Sequence, residues 1–142
     1  MEKALAADKA CMRKDALILA ADTVVACGRQ ILPKASSDGE VERCLQTLSG
    51  RRHRVITAIA LAKNREVRAS RTVLTRVAFR RLTVSEVASY VRSGEGLGKA
   101  GGYAIQGRAE IFVKSINGSY SNVVGLPLAE TIKLLRGRGF PC

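Results

Sequence analysis

The chain has 142 residues, a length that suits one domain. Apolar residues make up 46% while aromatics reach only 4% and Trp is absent, so the expected core is mostly Ala, Val, Ile and Leu. No apolar run reaches the roughly 18 residues a spanning helix requires, and a formal charge of +12 favours anionic partners: nucleic acid, nucleotides or acidic membranes.

Residues 2–14 carry helix formers, with apolar positions at Leu5, Ala6, Ala10 and Met12. The start, Met1-Glu2-Lys3-Ala4, lacks the apolar centre of a secretory signal, and the expected location is cytoplasmic. Ala16 to Cys27 is an apolar run interrupted by Asp22 and Thr23, the pattern of a buried strand. Gly28 ends it, and Arg29 to Leu32 reads as a short returning strand. Ser36-Ser37-Asp38 offers caps for a helix over 39–49, with Val41, Cys44, Leu45 and Leu48 at core spacing and Gly50 as its stop.

Two long alternating runs follow. Val55, Thr57, Ile59 and Leu61 share one face of the first; Val67, Ala69, Val73, Val77 and Phe79 share one face of the second, opposite Arg68, Arg76 and Arg80. Lys63-Asn64-Arg65-Glu66 between them predicts an antiparallel hairpin. Thr83 with Glu86 is a capping box for a helix ending near Ser93-Gly94. Gly94 to Gly102 reads as a glycine-rich loop, Ala109 to Ile116 as a strand, and Asn117-Gly118 as a hairpin turn continued by Ser119 to Val124. Pro127 opens a last helix over 127–136 that Gly137 ends. The expected architecture is α/β: a single domain over 1–142, with a mixed sheet of long antiparallel strands flanked by helices.

Cys11, Cys27, Cys44 and Cys142 have no C-x-x-C spacing, and His53 is the only histidine, which argues for reduced thiols rather than a zinc site. Asp22 is the first candidate for chemistry. A carboxylate inside an apolar run needs a cation, a metal or hydrogen bonds to offset its burial, and it serves either as base or metal ligand or as a structural cap. Lys34, beside Pro33, is placed to neutralise phosphate or simply to be solvated. Lys99 lies among Gly98, Ala100, Gly101 and Gly102, where an ammonium and backbone N–H groups can share an anion, although the loop is not a P-loop. Gln106 suits a base edge or an edge-strand surface, and Arg108 suits phosphate. Ser119 has no triad partner at a diagnostic spacing, and Asn117 and Asn122 read as turn and loop residues.

Five segments, A-D-T-V-V (21–25), I-L-P-K (31–34), L-S-G-R-R-H-R-V-I-T (48–57), G-K-A-G-G-Y-A-I-Q-G (98–107) and G-S-Y-S-N-V-V-G-L-P-L-A-E-T (118–131), resemble the Maf family in order and spacing. These are nucleoside triphosphate pyrophosphatases once described as septum-formation inhibitors, and the form around Gln106 resembles the branch acting on dTTP and UTP. The resemblance implies hydrolysis to the monophosphate and pyrophosphate. Asp22 is then the proton acceptor and metal contact, and Lys34 faces phosphate. Thr23 and Gln106 select the base, while Arg51, Arg52, Lys99 and Arg108 give electrostatic support. It implies Mg2+ or Mn2+ as cofactor and pairing as a homodimer.

Two departures stand out. Pro33-Lys34-Ala35 replaces the family's G-K-P, and no S-x-S-P-R-R loop occurs. Leu5-Ala6-Ala7-Asp8-Lys9-Ala10 matches the family's helix motif L-A-x-x-K-A, so the expectation is a fold without its first strand-loop-helix unit and a nucleotide pocket without its arginine half. The alternative function is a catalytically impaired binding protein linked to cell division. A nucleic-acid module is disfavoured by three Tyr and three Phe, too few for base stacking.

Overall fold

The computed structural model describes residues 1–11 and 15–142; Met12, read above as a helical position, lies outside the described residues. The first helix, α1 (Glu2–Ala10), gives way to extended backbone at Cys11. Its only buried residue is Ala4, laid on Ala60 and Ala62 with Leu5, Ile18 and Ala20 around them. Small side chains on both partners let the helix approach the sheet closely.

Five strands, β1 (Ile18–Cys27), β2 (Gln30–Leu32), β3 (Arg52–Lys63), β4 (Glu66–Phe79) and β5 (Val113–Asn117), form one sheet in the order β2-β1-β3-β4-β5. Every pairing among the described residues is antiparallel. The β3–β4 hairpin forms as its alternation predicts. Lys63 and Glu66 close a two-residue loop in which Asn64 and Arg65 both take left-handed φ, 54° and 63°, the geometry that matches strand twist. The Arg65 N–H donates to the Asp8 carboxylate, tying the hairpin tip to α1.

One sheet face carries Val25, Val55, Val77 and Phe79 into the main core. Helix α2 (Asp38–Leu48) adds Val41, Cys44, Leu45 and Leu48, capped by Ser37, whose side chain accepts the Glu40 N–H. Helix α3 (Val84–Ser93) adds Val87 and Tyr90 under the Thr83–Glu86 capping box and stops at left-handed Gly94. Few as the aromatics are, Phe79, Tyr90, Tyr103 and Phe112 join His53 in edge-to-face contacts at centroid distances of 4.9–6.1 Å.

Three expectations need correction. The Ala16–Cys27 run is not a strand buried throughout: β1 is buried only at Val25, Ala26 and Cys27, and Leu19 and Val24 are 37% and 40% exposed. Residues Arg108–Phe112 form a short 3-10 helix rather than strand, because the Glu95 carboxylate accepts the Arg108 N–H and caps the turn. Ser119 to Val124 is not a returning strand. Helix α4 (Tyr120–Val124) starts there, its N-cap Ser119 accepting the Asn122 N–H. Thr75 of β4 exchanges hydrogen bonds with Ser119, which folds the chain back onto the sheet instead of alongside it. The last helix, α5 (Leu128–Arg136), follows Pro127 as expected.

Candidate functional site

Strand β1 pairs with β3 from Ile18 to Ala26 but with β2 only from Val25 to Cys27. Its other edge, from Ile18 to Val24, has no strand partner among the described residues. A cleft of about 220 Å³ wraps this edge, so that Ala21, Asp22 and Thr23 all line it although successive side chains of a strand alternate faces. Lys3, Lys34, Lys99 and Gln106 line it as well, with Tyr103, Val55 and the Val123–Gly125 segment.

Two distant segments are stitched together to make this cleft. Lys34 and Ala100 form an isolated antiparallel bridge. The Ala35 N–H donates to Lys99 O at 3.2 Å, Gly98 N–H to Ala35 O at 2.7 Å, and Gly101 N–H to Pro33 O at 3.3 Å. The glycine-rich loop is therefore a docked element, and it sets Lys34 and Lys99 as neighbours. Both side chains are exposed.

Asp22 does not face the desolvation its sequence context predicts. Its side chain is 54% exposed at the strand edge, and Lys3 Nζ lies 2.5 Å from its Oδ1. The Lys3 ammonium, by hydrogen bond and charge, holds the Asp22 carboxyl below the usual carboxylate range, with a smaller contribution from Lys34. Asp22 is an ionised acceptor at neutral pH. Lys9, the lysine singled out by the helix motif, is exposed and does not line the cleft. Nothing in the pattern of residues 2–14 distinguished Lys3; only the docking of α1 on β1 and β3 does so.

Thr23 is half-buried, and its hydroxyl lies 2.9 Å from that of Thr57 on the paired strand. Thr57 is fully buried and also donates to Asn122 O at 3.3 Å. Asn122, read from sequence as a loop residue, is fully buried in α4, where its side-chain amide donates to Val55 O, Val73 O and Thr75 Oγ1 at 3.0–3.2 Å. It pins α4 across β3 and β4. The Asn-Val-Val spacing held no sign of this, because the contacts are 47–67 residues away in sequence.

Gln106 reaches the cleft from an exposed turn ahead of the 3-10 helix, not from an edge strand. Arg108 and Arg51 do not line it. Arg108 borders a separate depression with Glu86, Ser89 and Ile111, and Arg51 stands beside the β1–β2 turn, its guanidinium next to Gly28. Tyr103, given no role from sequence, forms the inner wall and shares a 2.6 Å hydrogen bond with His53 Nε2. Burial pushes the His53 imidazole down to about 4 and the Tyr103 phenol up, so both are neutral.

Among the described residues no group of three or more His, Cys, Asp and Glu side chains comes together. Mg2+ is commonly held by one or two carboxylates plus substrate phosphates. Among the described residues Asp22 is the only carboxylate lining the cleft, and the Lys3 ammonium sits on one of its oxygens. That donor set does not fit a divalent ion held by these residues alone.

The chain is similar to three curated proteins, each named "dTTP/UTP pyrophosphatase". That of Rhodopseudomonas palustris is 60% identical over 124 residues, covering 87% of this chain and 60% of the relative. That of Bradyrhizobium diazoefficiens is 59% identical over 128 residues, covering 90% and 61%. That of Maricaulis maris is 58% identical over 127 residues, covering 89% and 61%. The chain thus spans about 60% of the length of these relatives. Residues 1–138 match the family described as "Maf-like protein", and with the cleft built from its A-D-T and G-K-A-G-G segments the chain belongs to the Maf family.

Proposed function

We propose that this cleft is the nucleotide site of a pyrophosphatase that hydrolyses dTTP and UTP to the monophosphate and pyrophosphate. The observation that carries this reading is the convergence of Asp22, Thr23, Lys34, Lys99 and Gln106, drawn from three separate segments, on one cleft. The names of the relatives supply the substrate class.

Lys34 and Lys99 neutralise the triphosphate, and the net charge of +12 draws polyanions toward the surface. Asp22 accepts a proton from water as the water oxygen attacks the α-phosphorus. The bond from the α-phosphorus to the bridging oxygen breaks, and pyrophosphate leaves toward the lysines. Thr23 and Gln106 contact the base. Arg51 and Arg108, outside the cleft, act only through the long-range field. Mg2+ or Mn2+, expected from the resemblance, would supply further charge neutralisation to the bound triphosphate. A cytoplasmic location and a homodimer belong to the same proposal.

Incubating the chain with UTP or dTTP and following 31P NMR tests the reading. Monophosphate and pyrophosphate signals are expected, without free phosphate. Binding with no turnover would favour the impaired binding protein instead, and neither binding nor turnover would overturn the nucleotide reading altogether.

A further inference from the structure

We propose that a hydroxyl relay running from the Asn122 carbonyl through Thr57 fixes Thr23 as a hydrogen-bond acceptor, and that this polarity makes the cleft select bases carrying an N3–H, uracil and thymine, over cytosine. The inference rests on the nucleotide reading above and assigns to Thr57 a positioning part in specificity.

The argument is a count of hydrogens. A hydroxyl has one hydrogen to donate and two lone pairs to accept with. Thr57 is fully buried and has two neighbours for its hydroxyl, Thr23 Oγ1 at 2.9 Å and Asn122 O at 3.3 Å. The carbonyl can only accept. Both bonds form in one arrangement alone: Thr57 donates to Asn122 O, and Thr23 donates to Thr57. Buried polar groups adopt the arrangement that leaves fewest of them unpaired. Asn122 cannot easily drift from this geometry, because its amide grips the carbonyls of Val55 and Val73.

Thr23 has then spent its only hydrogen inward. What it shows to the cleft is lone pairs. Gly125 keeps them accessible: a Cβ there would stand 3.8 Å from Thr23 Oγ1, and its φ of 126° excludes most side chains in any case. Val55, Val123 and Val124 also line the cleft, so a base on Thr23 is partly removed from water, where an unmatched polar pair costs most. Uracil and thymine present a donor at N3. Cytosine presents an acceptor there, which would oppose the Thr23 lone pairs.

The test is binding rather than turnover. α,β-Methylene analogues of UTP and CTP, with the 3-methyluracil analogue as a third probe, are titrated calorimetrically into the chain and into three variants. The wild type should bind the UTP analogue at least roughly tenfold more tightly than the other two. Thr57→Val removes the inward acceptor, frees the Thr23 hydrogen to donate, and should bring the UTP and CTP affinities together. Thr57→Ser should restore the preference, and Thr23→Val should abolish it with loss of UTP affinity. A wild-type preference that Thr57→Val leaves intact, with the variant folded as judged by its thermal unfolding, overturns the relay while leaving the nucleotide reading standing. Equal wild-type affinity for UTP and CTP analogues does the same. No binding of any analogue overturns both.

Discussion

Lys3 and Asp22 meet across the mouth of the cleft, Nζ to Oδ1 at 2.5 Å, joining the first turn of α1 to the free edge of β1. Both side chains remain more than half exposed, so the pair contributes well under about 1 kcal/mol to stability. Its effect is on protonation. Replacing Lys3 with Met should raise the Asp22 pKa toward its ordinary value. The depressed folded pKa gives stability that is present above the ordinary carboxylate pKa and lost as pH falls through the folded one, so the variant should lose slightly less stability on acidification. Carboxyl 13C chemical shifts against pH measure this directly; an unmoved Asp22 titration would show the ion pair to be absent in solution.

Asp22→Asn keeps the shape of the side chain and removes its capacity to accept a proton. If Asp22 is the base, pyrophosphate release should fall roughly 10²–10⁴-fold with nucleotide affinity retained. Equal losses in turnover and affinity would mark Asp22 as a binding group only.

His53 makes stability depend on pH. It is 2% exposed, stacked edge-on with Phe79 and Tyr103, and its Nδ1 has no hydrogen-bond partner. Burial lowers its pKa from 6.5 to about 4, so the unfolded chain binds more protons between those values. Stability is therefore full above pH 6.5 and falls as pH drops toward 4, by about 3 kcal/mol from this residue. Urea unfolding at pH 7, 5.5 and 4.5 reads the slope. His53→Phe should flatten it, and an unchanged slope in that variant would assign the acid sensitivity to other groups.

Asn122→Ala removes the two amide N–H donors that Val55 O, Val73 O and Thr75 Oγ1 share inside the fold. The expected loss is about 3–5 kcal/mol, seen as a lower urea midpoint with an unchanged m-value. A loss below about 1 kcal/mol would mean that water replaces the amide.

Gly102 lies where the docked loop crosses α2. Its φ is +71°, and a Cβ there would stand 2.9 Å from Cys44 Cβ and 3.3 Å from Val41 Cα. Gly102→Ala combines left-handed strain with a clash against helix backbone and should cost about 2 kcal/mol or more. Because the same loop holds Lys99 next to Lys34, nucleotide affinity should fall with it. Retained affinity in a destabilised variant would separate the loop's packing from its binding part.

Much of the secondary structure was legible because it rests on short-range rules. The β3–β4 hairpin follows from alternation around Asn64-Arg65, α2 and α3 from their caps at Ser37 and Thr83, and α5 from Pro127. The misreadings lie where a partner far along the chain overrides local pattern. Ser119 to Val124 reads as the far side of a hairpin after Asn117-Gly118, yet Thr75 and Ser119 turn it into a helix. Ala109 to Ile116 looks extended, yet Glu95 caps a 3-10 helix at its start.

The candidate site divides the same way. Residue identities marked Asp22, Lys34, Lys99, Gln106 and Arg108, and the resemblance to the Maf family added Thr23 and Arg51, since motif order survives in one dimension. Tertiary structure decided which charged groups share a cleft: it admitted Lys3 and left out Lys9, Arg51 and Arg108. It also decided that Asp22 is an exposed, ion-paired carboxylate and that Thr57 and Asn122 stand behind Thr23. Hydrogen bonds and Coulomb interactions act over a few ångströms of space, and the separations of 19, 34 and 65 residues that they bridge here leave no periodic trace in the chain.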